Sequence, residues 1–199
     1  MTFGTVSRLA ALSLLAAPAA LYAQAADPAA TMADYNNGVI AIMKAKLPID
    51  ARVTRFEKLV SDHYDMPGIA QLVVGPKWAA ASPADKKAAI DALTHHSAVS
   101  LARNFVSFGG EKFTVDPNVA SRGTSSIVKV TIAGKGSSAL LQYRLRQTPA
   151  GWRIIDVTSE GVSQLTLQRS ELASTIAAEG VGGMAKKLAA RDAELIKKP

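Results

Sequence analysis

The stretch IVKVTIAGKGSSALLQYRLRQ, residues 127–147, carries the period that decides the fold. Val128, Val130 and Ile132 fall on one side of an alternating run at 127–133. Gly134-Lys135-Gly136 then makes a turn, and the alternation resumes at 139–147 with Leu141, Tyr143 and Leu145 against Gln142, Arg144 and Arg146. A side-chain period of two belongs to a strand. Strands joined by so short a turn must pair antiparallel. Because only one side is apolar, one sheet face is expected to be covered and the other wet. A second turn at Thr148-Pro149-Ala150-Gly151 leads into a strand at 152–158, and residues 111–115 read as an earlier one. The core of the chain is therefore an antiparallel sheet of about four strands.

Outward from the sheet the period is helical. Met32, Tyr35, Val39, Ile42 and Met43 space a helix over 28–47, which Pro48 ends. Val53, Phe56, Leu59 and Val60 share one face of a second helix over 50–63, and Tyr64-Asp65-Met66-Pro67-Gly68 breaks it. A short apolar piece at 69–78 is interrupted by Gly75-Pro76. Ser82-Pro83-Ala84-Asp85 is the strongest local signal: a capping hydroxyl, a proline preset for the first helical position and an acid in the first turn. The helix it opens is expected to reach Phe108 before Gly109-Gly110, a length of roughly 39 Å. After the sheet, helices are expected at 164–178 and 184–196, parted by Glu179-Gly180-Val181-Gly182-Gly183. Helices, then an antiparallel sheet, then helices describe an α+β domain with helices stacked on one sheet face.

Composition agrees. The 199 residues are 48% hydrophobic, 20% charged and 6% aromatic, an ordinary globular balance. With no cysteine there is no disulfide scaffold, thiolate metal site, cysteine nucleophile or lipid-modified cysteine. Residues 1–25 read as a secretory signal: Arg8, an Ala/Leu run from Leu9 to Leu21, and the small-x-small pattern Ala23-Gln24-Ala25. The run falls short of the roughly 20 residues that span a bilayer. The mature domain is expected to occupy 26–199 in an exported, periplasmic protein. Without Arg8 the balance of the mature chain is +6, and half of it sits at the C-terminal end, in Lys186, Lys187, Arg191, Lys197 and Lys198 against Asp192 and Glu194. We read that end as a solvated helix face, with attraction to an anionic membrane as the alternative. No interleaving of basic and aromatic residues speaks for nucleic acid.

Chemistry is sparse. The three histidines are His63, His95 and His96. His95 and His96 point about 100° apart on a helix and lack a third ligand at metal spacing. His63 sits among Asp62 and Asp65 at a helix end. Asp156 and Glu160 could pair for acid–base work, but no base, nucleophile or metal motif accompanies them. Asp156 reads instead as a strand-end bond to backbone and Glu160 as a turn residue. Gly109-Gly110 and Gly182-Gly183 read as helix stops. No catalytic residue, cofactor or metal is assigned.

Several segments stand out as motifs: Arg55-Phe56-Glu57-Lys58-Leu59-Val60, Tyr64-Asp65-Met66-Pro67-Gly68-Ile69-Ala70, Val74-Gly75-Pro76-Lys77-Trp78 and Ala81-Ser82-Pro83. The strongest is Gly151-Trp152-Arg153-Ile154-Ile155-Asp156-Val157, followed by Glu160-Gly161-Val162-Ser163 and Arg169-Ser170-Glu171-Leu172. Together they resemble the MlaC family of periplasmic lipid carriers, the toluene-tolerance auxiliary component of a lipid ABC transport system. The resemblance runs from about 50 to 195, with Val74 where the family usually has leucine. These are packing and turn signatures, none catalytic.

The resemblance implies a non-enzymatic carrier holding a phospholipid or other acyl lipid in an apolar cavity between sheet and helices. It further implies shuttling between an outer-membrane lipoprotein–porin complex and an inner-membrane MCE-domain ABC transporter complex, in support of outer-membrane lipid asymmetry. A hopanoid-associated branch is an open alternative, and from other classes so are an enzyme for a small hydrophobic substrate and an accessory protein that binds only proteins. A monomer is expected. From the helical and alternating patterns, the candidate lining residues are Ile90, Leu93, Leu101 and Phe105 on the long helix. The strands offer Val128, Val130, Ile132, Leu141, Tyr143 and Trp152, and the following helix Leu165, Leu167 and Ile176. Each could equally be ordinary core. Arg144 and Arg146, on the opposite face, are candidates for head-group or partner contact, or are simply solvated charge.

Overall fold

A computed structural model describes residues 27–197; the expected signal segment lies outside the described residues. Helix α1 (Pro28–Lys44) starts on Asp27, whose carboxylate accepts the Ala29 amide, with proline in the first turn. Helix α2 (Ile49–His63) follows at once and ends on extended Tyr64. Asp65 then caps α3 (Met66–Val74) by accepting the Gly68 amide, and a 3₁₀ turn at Gly75–Trp78 closes that segment. Helix α4 (Pro83–Asn104) opens as its sequence foretold: the Ser82 hydroxyl accepts the Asp85 amide at 3.1 Å.

Helix α4 is shorter than the periodicity suggested, 22 residues ending at Asn104 rather than at Phe108. The stop comes from a distant side chain. Arg52, buried on α2, donates from Nε to Ala102 O at 2.8 Å and reaches Leu47 O and Val106 O. A guanidinium against the last carbonyls of a helix satisfies groups that otherwise lack partners.

The sheet has six strands rather than about four. They are β1 (Lys112–Val115), β2 (Ala120–Arg122), β3 (Ser125–Gly134), β4 (Ser137–Thr148), β5 (Gly151–Ser159) and β6 (Val162–Ser163). All neighbours pair antiparallel in the order β1-β3-β4-β5-β6, with β2 also on β3. The two unforeseen strands, β2 and β6, are three and two residues long, too short to show a period. Val128 lies opposite Tyr143 and Val130 opposite Leu141, so the apolar sides of the long hairpin coincide. The β5–β6 turn takes positive φ at Glu160 (51°) and Gly161 (79°), the pattern of a type I′ hairpin.

The last element, α5 (Gln164–Lys197), is broken at Gly180, whose φ of 73° and ψ of −167° are not helical. Its two arms, 164–179 and 181–197, fold back on one another. Lys187 Nζ donates to Thr175 Oγ1 at 2.9 Å and Arg191 to Glu171 at 2.8 Å. Along an unbroken helix those partners, 12 and 20 positions apart, would lie roughly 18 and 30 Å from each other. The element is thus a helical hairpin; the break expected over 179–183 falls at Gly180, and Gly182 and Gly183, expected to stop a helix, lie inside the second arm. Lys77 holds the end of the first arm by donating to Ile176 O and Ala177 O.

Two apolar cores result. One joins α1, α2 and the C-terminal half of α4 to the sheet, around Met32, Tyr35, Phe56, Val128, Leu145 and Ile154. The other joins α3, the N-terminal half of α4 and both arms of α5, around Val73, Leu93, Leu172, Met184 and Leu188. Tyr64 and Leu101 border both.

Candidate functional site

Where the two cores meet, they do not close. A cavity of about 590 Å³ remains between the sheet, α4 and α5, within the range of small-molecule sites. One wall is the sheet: Ile132 from β3, Ala139, Leu141 and Tyr143 from β4, and Ile155 and Val157 from β5. Opposite stand Leu101 and Phe105 of α4 and Leu165 and Leu167 of α5. Phe105, just past the end of α4, packs near Phe56 and Phe113 with ring centroids 6.4 and 6.1 Å away. The arginine-bound end of α4 thus helps to place an aromatic ring in the wall. A smaller hollow of about 380 Å³ toward the tip of the β3–β4 hairpin shares Ile132 and Ala139.

Tyr35 and Tyr143, both buried, and Tyr64 also border the cavity. The Tyr35 and Tyr64 hydroxyls are 3.2 Å apart, and the Tyr35 ring meets those of Tyr64 and Tyr143 edge-on. Burial pushes the Tyr64 phenol up to about 12, and burial likewise raises Tyr35 and Tyr143. All three stay neutral at physiological pH, so they contribute ring surface and hydroxyl dipoles without charge.

Polar groups occupy the rest of the wall. Ser97, Ser100 and Asn104 form one stripe on α4, and Gln164, Gln168 and Glu171 another on the first arm of α5, with Arg191 from the second arm beside Glu171. His96 also lines the cavity, and its Nδ1 is 2.6 Å from Oδ1 of fully buried Asp192. Asp156 is buried at the wall, accepting from Ser163 Oγ at 2.7 Å and from the Leu165 amide at 3.1 Å. It fastens the start of α5 to the sheet through the expected bond to backbone, but from within β5 rather than from the strand's end.

Seven of the thirteen candidate residues stand at the cavity wall: Leu101, Phe105, Ile132, Leu141, Tyr143, Leu165 and Leu167. The other six are packing residues away from it. Val128 and Val130 are wholly buried in the sheet core, and Trp152 packs against its edge. Leu93 and Ile176 are buried in the helical core, and Ile90 packs against that core. Alternation sends Val128, Val130 and Ile132 to the same sheet face; what differs is what lies above each.

Arg144 and Arg146, both half-exposed, each have an acidic partner. Arg146 pairs with Asp65, the cap of α3, and an Arg144 nitrogen lies 3.6 Å from Asp156. The histidines likewise have separate partners: His63 meets Asp34 and Leu59 O, His95 meets Glu57, and His96 meets Asp192. Among the described residues no group of three or more His, Cys, Asp or Glu side chains could hold a metal ion. No helix among them is long and apolar enough to cross a membrane.

Fold and cleft define an α+β protein with an apolar hollow between an antiparallel sheet and a layer of helices. The model of the MlaC protein family matches residues 33–190, and the chain belongs to that family. It is similar in structure to a phospholipid-binding protein from Ralstonia solanacearum solved in complex with a phospholipid. That likeness has a TM-score of 0.74 at 23% sequence identity and covers 86% of this chain and 100% of the other. A comparison with curated proteins found no match.

Proposed function

We propose that this chain is a periplasmic lipid carrier, not an enzyme. In this reading it holds the acyl chains of a phospholipid in the cavity and moves the lipid between the outer and inner membranes. The observation that carries the reading is the cavity: aliphatic and aromatic side chains from sheet and helices face a space that the polypeptide leaves unfilled. Membership of the MlaC family and likeness to a protein solved with phospholipid support it. The docking partners in this reading are the lipoprotein–porin complex and the MCE-domain transporter.

The energetics suit a carrier. Two acyl chains of about 30 methylenes would gain roughly 24 kcal/mol on leaving water, at about 0.8 kcal/mol each. That exceeds the practical ceiling of about 18–21 kcal/mol for any non-covalent complex. The relevant competitor is the bilayer, where the chains are already dry. A carrier has only to match the membrane, so a wall of apolar side chains and uncharged phenols suffices. Release then requires docking, with the sheet moving relative to the helices.

Organic extraction of the purified mature protein followed by mass spectrometry tests the reading. Stoichiometric acyl lipid is expected. Protein that carries none, and that takes none from vesicles, would contradict it.

A further inference from the structure

We propose that the Glu171–Arg191 ion pair reads the lipid head group and favours a zwitterionic phospholipid, phosphate plus ammonium, over an anionic one. The inference rests on the carrier reading above. Both side chains line the cavity, and they are paired at 2.8 Å. With side chains 41% and 49% exposed, they stand where the cavity meets water, the place left for a head group once the tails are inside.

The other ionisable groups of the wall, Asp156 and His96, are buried and held from within the fold. Asp156 holds Ser163, the Leu165 amide and Arg144, and His96 holds Asp192. Arg191 is the one lysine or arginine among the described residues that line the cavity. Its guanidinium fork fits a phosphate better than a compact ammonium would. The Glu171 carboxylate accepts from an ammonium group.

A zwitterionic head group can therefore exchange with the pair. Arg191 turns its N–H groups from Glu171 to the phosphate oxygens, and Glu171 takes the lipid ammonium in place of the guanidinium. Every charge keeps an opposite partner. An anionic head group such as phosphoglycerol also takes Arg191, but it leaves Glu171 facing a phosphate with no cation between them. Exposed pairs are screened, so the discrimination is modest, about threefold.

The test uses the full mature chain freed of lipid. It is incubated with mixed vesicles of phosphatidylethanolamine, phosphatidylglycerol and diacylglycerol with identical acyl chains, and the bound lipids are counted by mass spectrometry. One mixed surface serves all three lipids, so the chain's overall positive charge cannot sort them. The wild type is expected to load phosphatidylethanolamine over phosphatidylglycerol by about threefold. Glu171→Gln should abolish that preference. Arg191→Gln should lower both phospholipids against diacylglycerol, by about threefold again.

Each substitution breaks the same intramolecular bond, so a merely structural pair would move both variants alike and without regard to head group. Melting curves of both variants establish that they fold. Equal loading of the two phospholipids by the wild type, or identical shifts in the two variants, would overturn the inference and leave the carrier reading standing. A wild-type chain that loads no lipid would overturn both.

Discussion

Tyr35, Tyr64 and Tyr143 place three phenols from α1, the α2–α3 junction and β4 around one end of the cavity. Their burial makes a pH prediction with a definite sign. In the unfolded chain a tyrosine releases its proton near pH 10, whereas folded Tyr64 holds it to about 12 and Tyr35 and Tyr143 are raised as well. Above pH 10 the unfolded state therefore binds fewer protons than the folded one, and stability falls as pH rises. This contribution is fully present below pH 10 and is lost through the folded value of about 12. Urea unfolding across pH 9 to 12 should show a flat midpoint, then a decline that is shallower in Tyr64→Phe. A decline unchanged by Tyr64→Phe and by Tyr35→Phe would contradict the buried cluster.

Other single residues had no signal of their own in the sequence. Arg52 reads as one more charge in an amphipathic helix, yet it ends α4 from across the fold. Val130 and Ile132 share residue class, strand and face, but only Ile132 reaches the cavity. The difference is made by neighbours brought in by tertiary packing, which periodicity does not record. What the sequence did show at this scale were bonds to backbone: Ser82 on α4, and Asp156, which accepts an amide from within β5 rather than from its end. The stripe of Ser97, Ser100 and Asn104 beside Leu101 and Phe105 was not read from the sequence; only the fold shows it facing the cavity.

Among the elements, the long hairpin was legible because ten-residue β3 and twelve-residue β4 span enough residues to show a period of two. The break in α5 was legible for a different reason, its run of glycines. Its consequence is larger than a kink. Reversal at Gly180 brings Arg191 to Glu171 and makes both arms walls of one site. Its φ and ψ lie in a region open to little but glycine, although a Cβ there would meet nothing within 4 Å. Gly180→Ala should therefore cost about 1–3 kcal/mol purely through the backbone. Urea midpoints measure the loss, and an unchanged midpoint would mean that the arms can reverse some other way.

For the whole molecule, two cores that fail to merge are the central feature, and substitutions on either side of that boundary should behave differently. Leu141→Trp projects bulk into the cavity and is expected to cut lipid occupancy severalfold while leaving the melting temperature nearly unchanged. Val130→Ala, in the solid sheet core, removes packed methyl groups at a cost of about 1–3 kcal/mol with occupancy per folded molecule preserved. Extraction and calorimetry on the same samples separate the two effects. Equal loss of stability in both variants would mean that Leu141 is ordinary core.

The most direct test of the central claim is transfer of labelled phospholipid from vesicles to the emptied mature protein, with bound lipid counted per chain after the vesicles are removed. The account predicts saturation near one phospholipid per chain, blocked by Leu141→Trp. No transfer above that of an unrelated soluble protein would contradict it.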